Sequence, residues 1–92
     1  MPSIFVTLPT PLFRAAGGRG EVAVEGETVA GALASLRAGY PRVAGLVLSE
    51  GDEPRRGVSL FLNGCDVRTL DRLETPLKAG DRLAVVLLLS GG

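Results

Sequence analysis

The chain has no histidine and a single cysteine, Cys65, among its 92 residues. Without histidine there is no imidazole general base, no Ser-His-Asp or Cys-His arrangement and no zinc site built from Cys and His. One cysteine forbids an intrachain disulfide. Aromatic residues make up only 4% of the chain against 46% hydrophobic overall, so the core must be aliphatic. No apolar run approaches the ~20 residues of a membrane span. The N-terminus lacks the charged-then-apolar order of a signal peptide. A cytoplasmic protein without membrane contact is expected. Ten basic and ten acidic residues leave a formal net charge of zero, which argues against nucleic acid, because phosphate binding needs a basic surplus. The stretches holding Arg55-Arg56, Arg68 and Arg72 are interleaved with acids and read as solvated surface. Lys78 is the sole lysine, so the chain offers itself almost no site for lysine conjugation. Gly17-Gly18 and Gly20 lack the Lys-Ser/Thr of a phosphate loop and read as turn glycines.

The length implies one small domain, residues 1–92, able to bury roughly 60–65% of its unfolded surface. Ser3–Leu8 alternates, with Ile4, Val6 and Leu8 on one side and Phe5 and Thr7 on the other. Pro9 and Pro11 stop this strand. A turn region over Leu12–Arg19 leads to a second alternating strand, Glu21–Glu25, with Val22 and Val24 inward. Thr28 is a good N-cap for a helix whose face is Val29, Leu33, Leu36 and Tyr40. Gly39 and Pro41 end it. Gly31 inside it costs up to ~1 kcal/mol relative to Ala. Arg42–Leu48 adds a short second helix. Ser49–Gly57 is an exposed loop, and a strand follows over Val58–Leu62. Asn63-Gly64 predicts a two-residue hairpin turn into a short strand around Asp66–Arg68. Thr69–Gly80 is a connection with one helical turn. Arg82–Leu89, the most apolar segment, is expected at the centre of the sheet. The order predicts an α+β domain, a mixed sheet of four to five strands with one main helix packed on one face.

The chain ends Leu87-Leu88-Leu89-Ser90-Gly91-Gly92. A packed domain gains little from two terminal glycines, which lose much backbone entropy and bury no side chain. A tail that threads into another protein's active site needs those properties. The absence of Cβ atoms admits the backbone to a narrow channel, and the terminal carboxylate becomes the reactive group. A flexible tail over about 89–92 is expected.

This ending, together with Ser3-Ile4-Phe5-Val6-Thr7-Leu8, Gly26-Glu27-Thr28-Val29, Leu62-Asn63-Gly64, Asp66-Val67-Arg68 and Leu77-Lys78-Ala79-Gly80-Asp81, resembles the MoaD/ThiS family of ubiquitin-like sulfur carriers. Leu8-Pro9-Thr10 followed by Gly17-Gly18 is similar to the CysO type within it. The resemblance covers essentially the whole chain. It implies the β-grasp fold and a carrier that is not itself an enzyme and binds no cofactor. An adenylyltransferase of the ubiquitin-activating type would use ATP to adenylate Gly92, with Gly91 giving the tail room. A sulfurtransferase or sulfide source would then leave a thiocarboxylate for a downstream synthase, in the CysO type one that makes cysteine. Other readings are a MoaD-like small subunit of molybdopterin synthase, a ubiquitin-like modifier joined to lysines through Gly92, and a small interaction domain with an incidental diglycine. The expected state is a monomer or a heteromer with the partner.

A carrier needs a docking face. Strand alternation sends Val58, Leu60 and Leu62 inward with Leu83, Val85 and Leu87, leaving Ser59 and Phe61 outward with Ala84, Val86 and Leu88. Phe5 also points outward. An exposed apolar patch of Phe5, Phe61, Val86 and Leu88 marks a partner surface, and Ser90 at the root of the tail is grouped with it. Ubiquitin-like proteins dock through this face, so the resemblance implies the same use. Cys65 follows the hairpin turn and reads as an incidental exposed thiol, with Arg68 the nearest cation in sequence that could activate it.

Overall fold

A computed structural model describes residues 1–88. Five strands form one mixed sheet: β1 (Ser3–Thr7), β2 (Glu21–Glu25), β3 (Val58–Leu62), β4 (Cys65–Asp66) and β5 (Arg82–Leu87), in spatial order β2-β1-β5-β3-β4. Helices α1 (Val29–Gly39) and α2 (Pro41–Val47) follow β2. The most apolar strand, β5, lies at the centre, parallel to β1 and antiparallel to β3. Ile4 and Val6 of β1, Leu60 of β3 and Leu83 of β5 meet Val29, Ala32, Leu33 and Leu36 of α1 and Val43, Ala44 and Val47 of α2 in one aliphatic core, each 2% exposed or less.

Local chemistry sets the boundaries. The Thr28 hydroxyl accepts the Gly31 backbone N–H at 3.1 Å, satisfying one orphan donor at the start of α1. Pro41 begins α2, where its missing N–H does no harm. A proline disfavours helical geometry in the residue before it, and Tyr40 accordingly has φ −136° and ψ 64°, breaking the chain into two helices. Between β1 and β2 lie two short 3-10 turns, Thr10–Leu12, which starts ahead of the expected turn region, and Arg14–Ala16 within it. Asn63 and Gly64 both have positive φ, 49° and 89°, as a type I′ hairpin turn requires. The strand after it begins one residue earlier than the sequence suggests and is only two residues long. Asp66 ends it by accepting the Arg68 backbone N–H at 2.9 Å and opening a 3-10 turn over Val67–Thr69.

The pairing places the end of the chain. Because β1 and β5 are parallel, the loop after β1 and the exit from β5 lie at the same end of the sheet. The 49–57 loop reaches that end as well, since Val58 pairs with Leu87. Gly57, at φ 86°, turns the loop into β3, and its carbonyl accepts the Leu88 N–H at 2.7 Å.

Two glycines near the start of α1 have opposite constraints. A Cβ on Gly26 would stand 2.5 Å from the backbone N of Ala32 and 2.8 Å from its Cα, so the helix would have to move. A Cβ on Gly31 would meet only ordinary contacts, at 3.6 Å. Gly26→Ala is therefore expected to lower stability by about 1–3 kcal/mol, the usual range for overpacking. Gly31→Ala should raise it by about 0.5–1 kcal/mol through helix propensity. Urea unfolding of the two variants checks the pair. Equal changes of the same sign would contradict the packing.

Candidate functional site

The helices cover one face of the sheet, and the other face carries the side chains that alternation sends outward. In register across the strands, Ala23, Phe5 and Arg82 form one row, and Thr7, Ala84, Phe61 and Asp66 the next. Val86 follows opposite Ser59, and Leu88 beyond it is 54% exposed where the chain leaves the sheet. The structure thus places Phe5, Phe61, Val86 and Leu88 on one face, but not as one open patch. Phe5, Phe61 and Val86 are half-buried.

Phe5 is covered. The Arg82 guanidinium lies 5.2 Å from its ring centroid, a cation–π geometry contributing about 0.5–1 kcal/mol at exposed sites. Arg82 also pairs with Glu21 on β2. Phe61, Ala84, Val86 and Leu88 remain as the apolar stretch toward the exit of β5. Sequence reasoning passed over Arg82 and Glu21, although Arg82 is in phase with Ala84 and Val86, and that phase was the available signal.

Ser59 departs from the expected outward, exposed position: it is only 7% exposed. It lines a cleft of about 350 Å³ with Pro54, Val67, Arg68, Arg72 and Leu73. Because β4 stops after two residues, the chain from Val67 onward turns back beside β3, and this small side chain is enclosed at the sheet edge.

Cys65 is exposed. Arg68, the cation that the sequence offers to it, is engaged elsewhere. The Arg68 guanidinium donates to both oxygens of Asp66, at 3.2 Å from Nε and 2.7 Å from Nη2. These bonds hold the Asp66 carboxyl below the usual carboxylate range. Ser90, Gly91 and Gly92 lie outside the described residues, as does the expected tail. Leu88, held by its bond to Gly57, is the last described point before them. No helix among the described residues is long and apolar enough to cross a membrane.

The model of the ThiS family matches residues 6–92. The sulfur carrier protein CysO of Mycobacterium tuberculosis is 27% identical over 92 residues, covering 98% of this chain and 99% of the relative. Among solved structures, small archaeal modifier protein 1 from Methanosarcina acetivorans superposes with a TM-score of 0.85 at 33% identity, covering 100% of this chain and 98% of the other. The BexX/CysO complex of Amycolatopsis orientalis contains a chain that superposes with a TM-score of 0.84 at 27% identity, covering 97% of this chain and 99% of that one.

Proposed function

This chain belongs to the ThiS family and has its ubiquitin-like β-grasp fold, and from that premise we propose that it is a sulfur carrier charged at Gly92. The observation that carries the reading is the full-length match to proteins named as sulfur carriers, in a chain whose own last residues are Gly91-Gly92. The relatives are carriers rather than catalysts, and a chain without histidine fits that role.

The chemistry follows from the carboxylate. A free terminal carboxylate is ionised at neutral pH and resists nucleophiles. A ubiquitin-activating-type adenylyltransferase would let a carboxylate oxygen of Gly92 attack the α-phosphorus of ATP, releasing pyrophosphate and giving an acyl adenylate. Hydrosulfide from a sulfur donor would attack the acyl carbon. AMP would leave, a proton would be released and a thiocarboxylate would remain. A downstream synthase, in the CysO-like case one making cysteine, would accept the sulfur. The apolar stretch of Phe61, Val86 and Leu88, with Ser90 beyond it, would seat the partner beside the tail. Phe5 under Arg82 would form its margin.

The test is the intact mass of untagged protein isolated from its own host. The expected result is a species heavier by the difference between sulfur and oxygen, lost on treatment that hydrolyses thioacids. Unmodified protein alone, even with activating enzyme, ATP and sulfide supplied, would refute the reading. A second reading, as a protein modifier joined to target lysines through Gly92, is favoured by the likeness to small archaeal modifier protein 1. It predicts larger covalent conjugates in the same sample.

A further inference from the structure

The two ends of the sheet differ in charge. At the end where β5 exits stand Arg14, Arg19, Arg42, Arg55 and Arg56, all exposed and none in an ion pair among the described residues. The opposite end carries Glu25 at the close of β2, Glu27 beside Leu77, and Asp81 in the turn before β5, with Lys78 in that same turn as its one lysine. A chain of zero formal net charge is thus polarised along its strands, with the positive pole where the tail begins.

Within that pole, Arg14, Arg19 and Arg42 form a distinct shoulder on the helix side. They line two adjoining clefts of about 420 and 520 Å³ that share Ala15, Pro41 and Arg42, and no carboxylate lines either one. Leu46, on the margin, is 56% exposed, and Tyr40 on the floor is half-buried. The carboxylates of this end are Glu21, which opens β2 and is held by Arg82 on the sheet face, and Glu50, Asp52 and Glu53 on the 49–57 loop, where Asp52 is held by Arg37.

We infer that this shoulder is a second docking surface, separate from the sheet face, and that it binds an acidic protein surface bordering the channel into which the tail is drawn. Arginine forks suit carboxylates. Leu46 and Pro41 give the contact an apolar centre. The polarity adds orientation: an acidic rim attracts the positive pole and repels the acidic one, so the domain arrives tail first. Nucleic acid fits less well, because the acidic pole opposes a polyanion.

The inference rests on the reading of the chain as a carrier charged by an activating enzyme, and one experiment separates the two. The rate of ATP–pyrophosphate exchange is measured with the activating enzyme of the source organism, as a function of carrier concentration and salt. Four carriers are compared: the wild type, the triple variant Arg14→Glu, Arg19→Glu, Arg42→Glu, the same triple changed to Gln, and the reversal Glu25→Arg, Glu27→Arg at the far end, with thermal melts showing that each is folded. The triple variant should lose about ten- to hundredfold in kcat/KM at low ionic strength with kcat retained, and the gap should narrow as salt screens the charges. The far-end reversal should lose much less than the triple variant, since it leaves the shoulder intact and removes only the orienting repulsion. A folded Arg→Gln triple should fall between. A triple variant as active as the wild type, or one whose deficit ignores salt, overturns the inference alone. A shoulder that instead retains the protein on single-stranded RNA, with exchange unaffected by its reversal, overturns it in favour of nucleic acid. Wild type that supports no exchange at all overturns the carrier reading itself.

Discussion

Removing Gly92 alone will abolish charging of the chain while leaving its melting temperature where it was. The functional half of this expectation is a matter of reach. One residue fewer withdraws the terminal carboxylate by about 3.3–3.6 Å. A displacement of 1 Å at a reacting centre can already cost about 10²-fold in rate, so activation should fall by at least that factor and the thiocarboxylate should drop below detection. The structural half follows from where the core lies. Among the described residues the fully buried large side chains run from Ile4 to Leu83, and the last described bond of the chain to its own body is made by Leu88. For a domain of this size 1 kcal/mol moves the melting temperature by roughly 4–8 °C. A shift under about 1 °C therefore means the residue contributes almost nothing to folding. Thermal melts beside ATP–pyrophosphate exchange check both halves. A truncated chain that is still charged would remove Gly92 from the chemistry. A chain that melts several degrees lower would give the residue a structural role.

Much of the fold was legible because it depends on short-range rules. The alternation of Ile4, Val6 and Leu8, the cap at Thr28, the Asn63-Gly64 turn and the apolar run of β5 each name their own element, and each stands where its chemistry requires. What escaped the sequence depends on neighbours far along the chain. Ser59 reads as exposed by alternation, yet it is enclosed by residues that arrive only because Asp66 ends β4 early. Phe5 reads as part of an open patch, yet Arg82, more than seventy positions away, covers its ring because β1 and β5 lie side by side. Gly26 carries no local signal for its need to be glycine, which comes from the backbone of α1 pressing on it. The polarity of charge is likewise invisible to a net charge of zero, since only the strand directions sort Arg14, Arg42 and Arg56 from Glu25 and Asp81.

Placing a charge at Phe61 will block activation in a folded protein, and the sign of that charge will matter little. Phe61 is half-buried on the open face, between Ala84 of β5 and Asp66 of β4. If this ring is an anchor in the partner's surface, its loss removes about 2 kcal/mol or more of binding, as for other aromatic hot spots, and a buried unpaired charge adds a desolvation cost. A fall of some thirtyfold or more in kcat/KM is the expected result, since 1.4 kcal/mol corresponds to tenfold. Phe61→Asp alone would be ambiguous, because it sets a second carboxylate opposite Asp66, and like charges across a strand pair are destabilising. Phe61→Lys removes that ambiguity by presenting Asp66 with an opposite charge. Leu88→Asp supplies an independent probe of the same stretch at a position that is already exposed. All three should lose activation with urea midpoints close to wild type, Phe61→Asp the lowest of them. The arginine shoulder offers the contrast: its reversal should be rescued by salt, whereas a missing apolar anchor is not, because hydrophobic contact is not screened. If Phe61→Lys and Leu88→Asp were activated at the wild-type rate, the open face would have no part in docking, and the partner would have to be held by the shoulder and the tail alone.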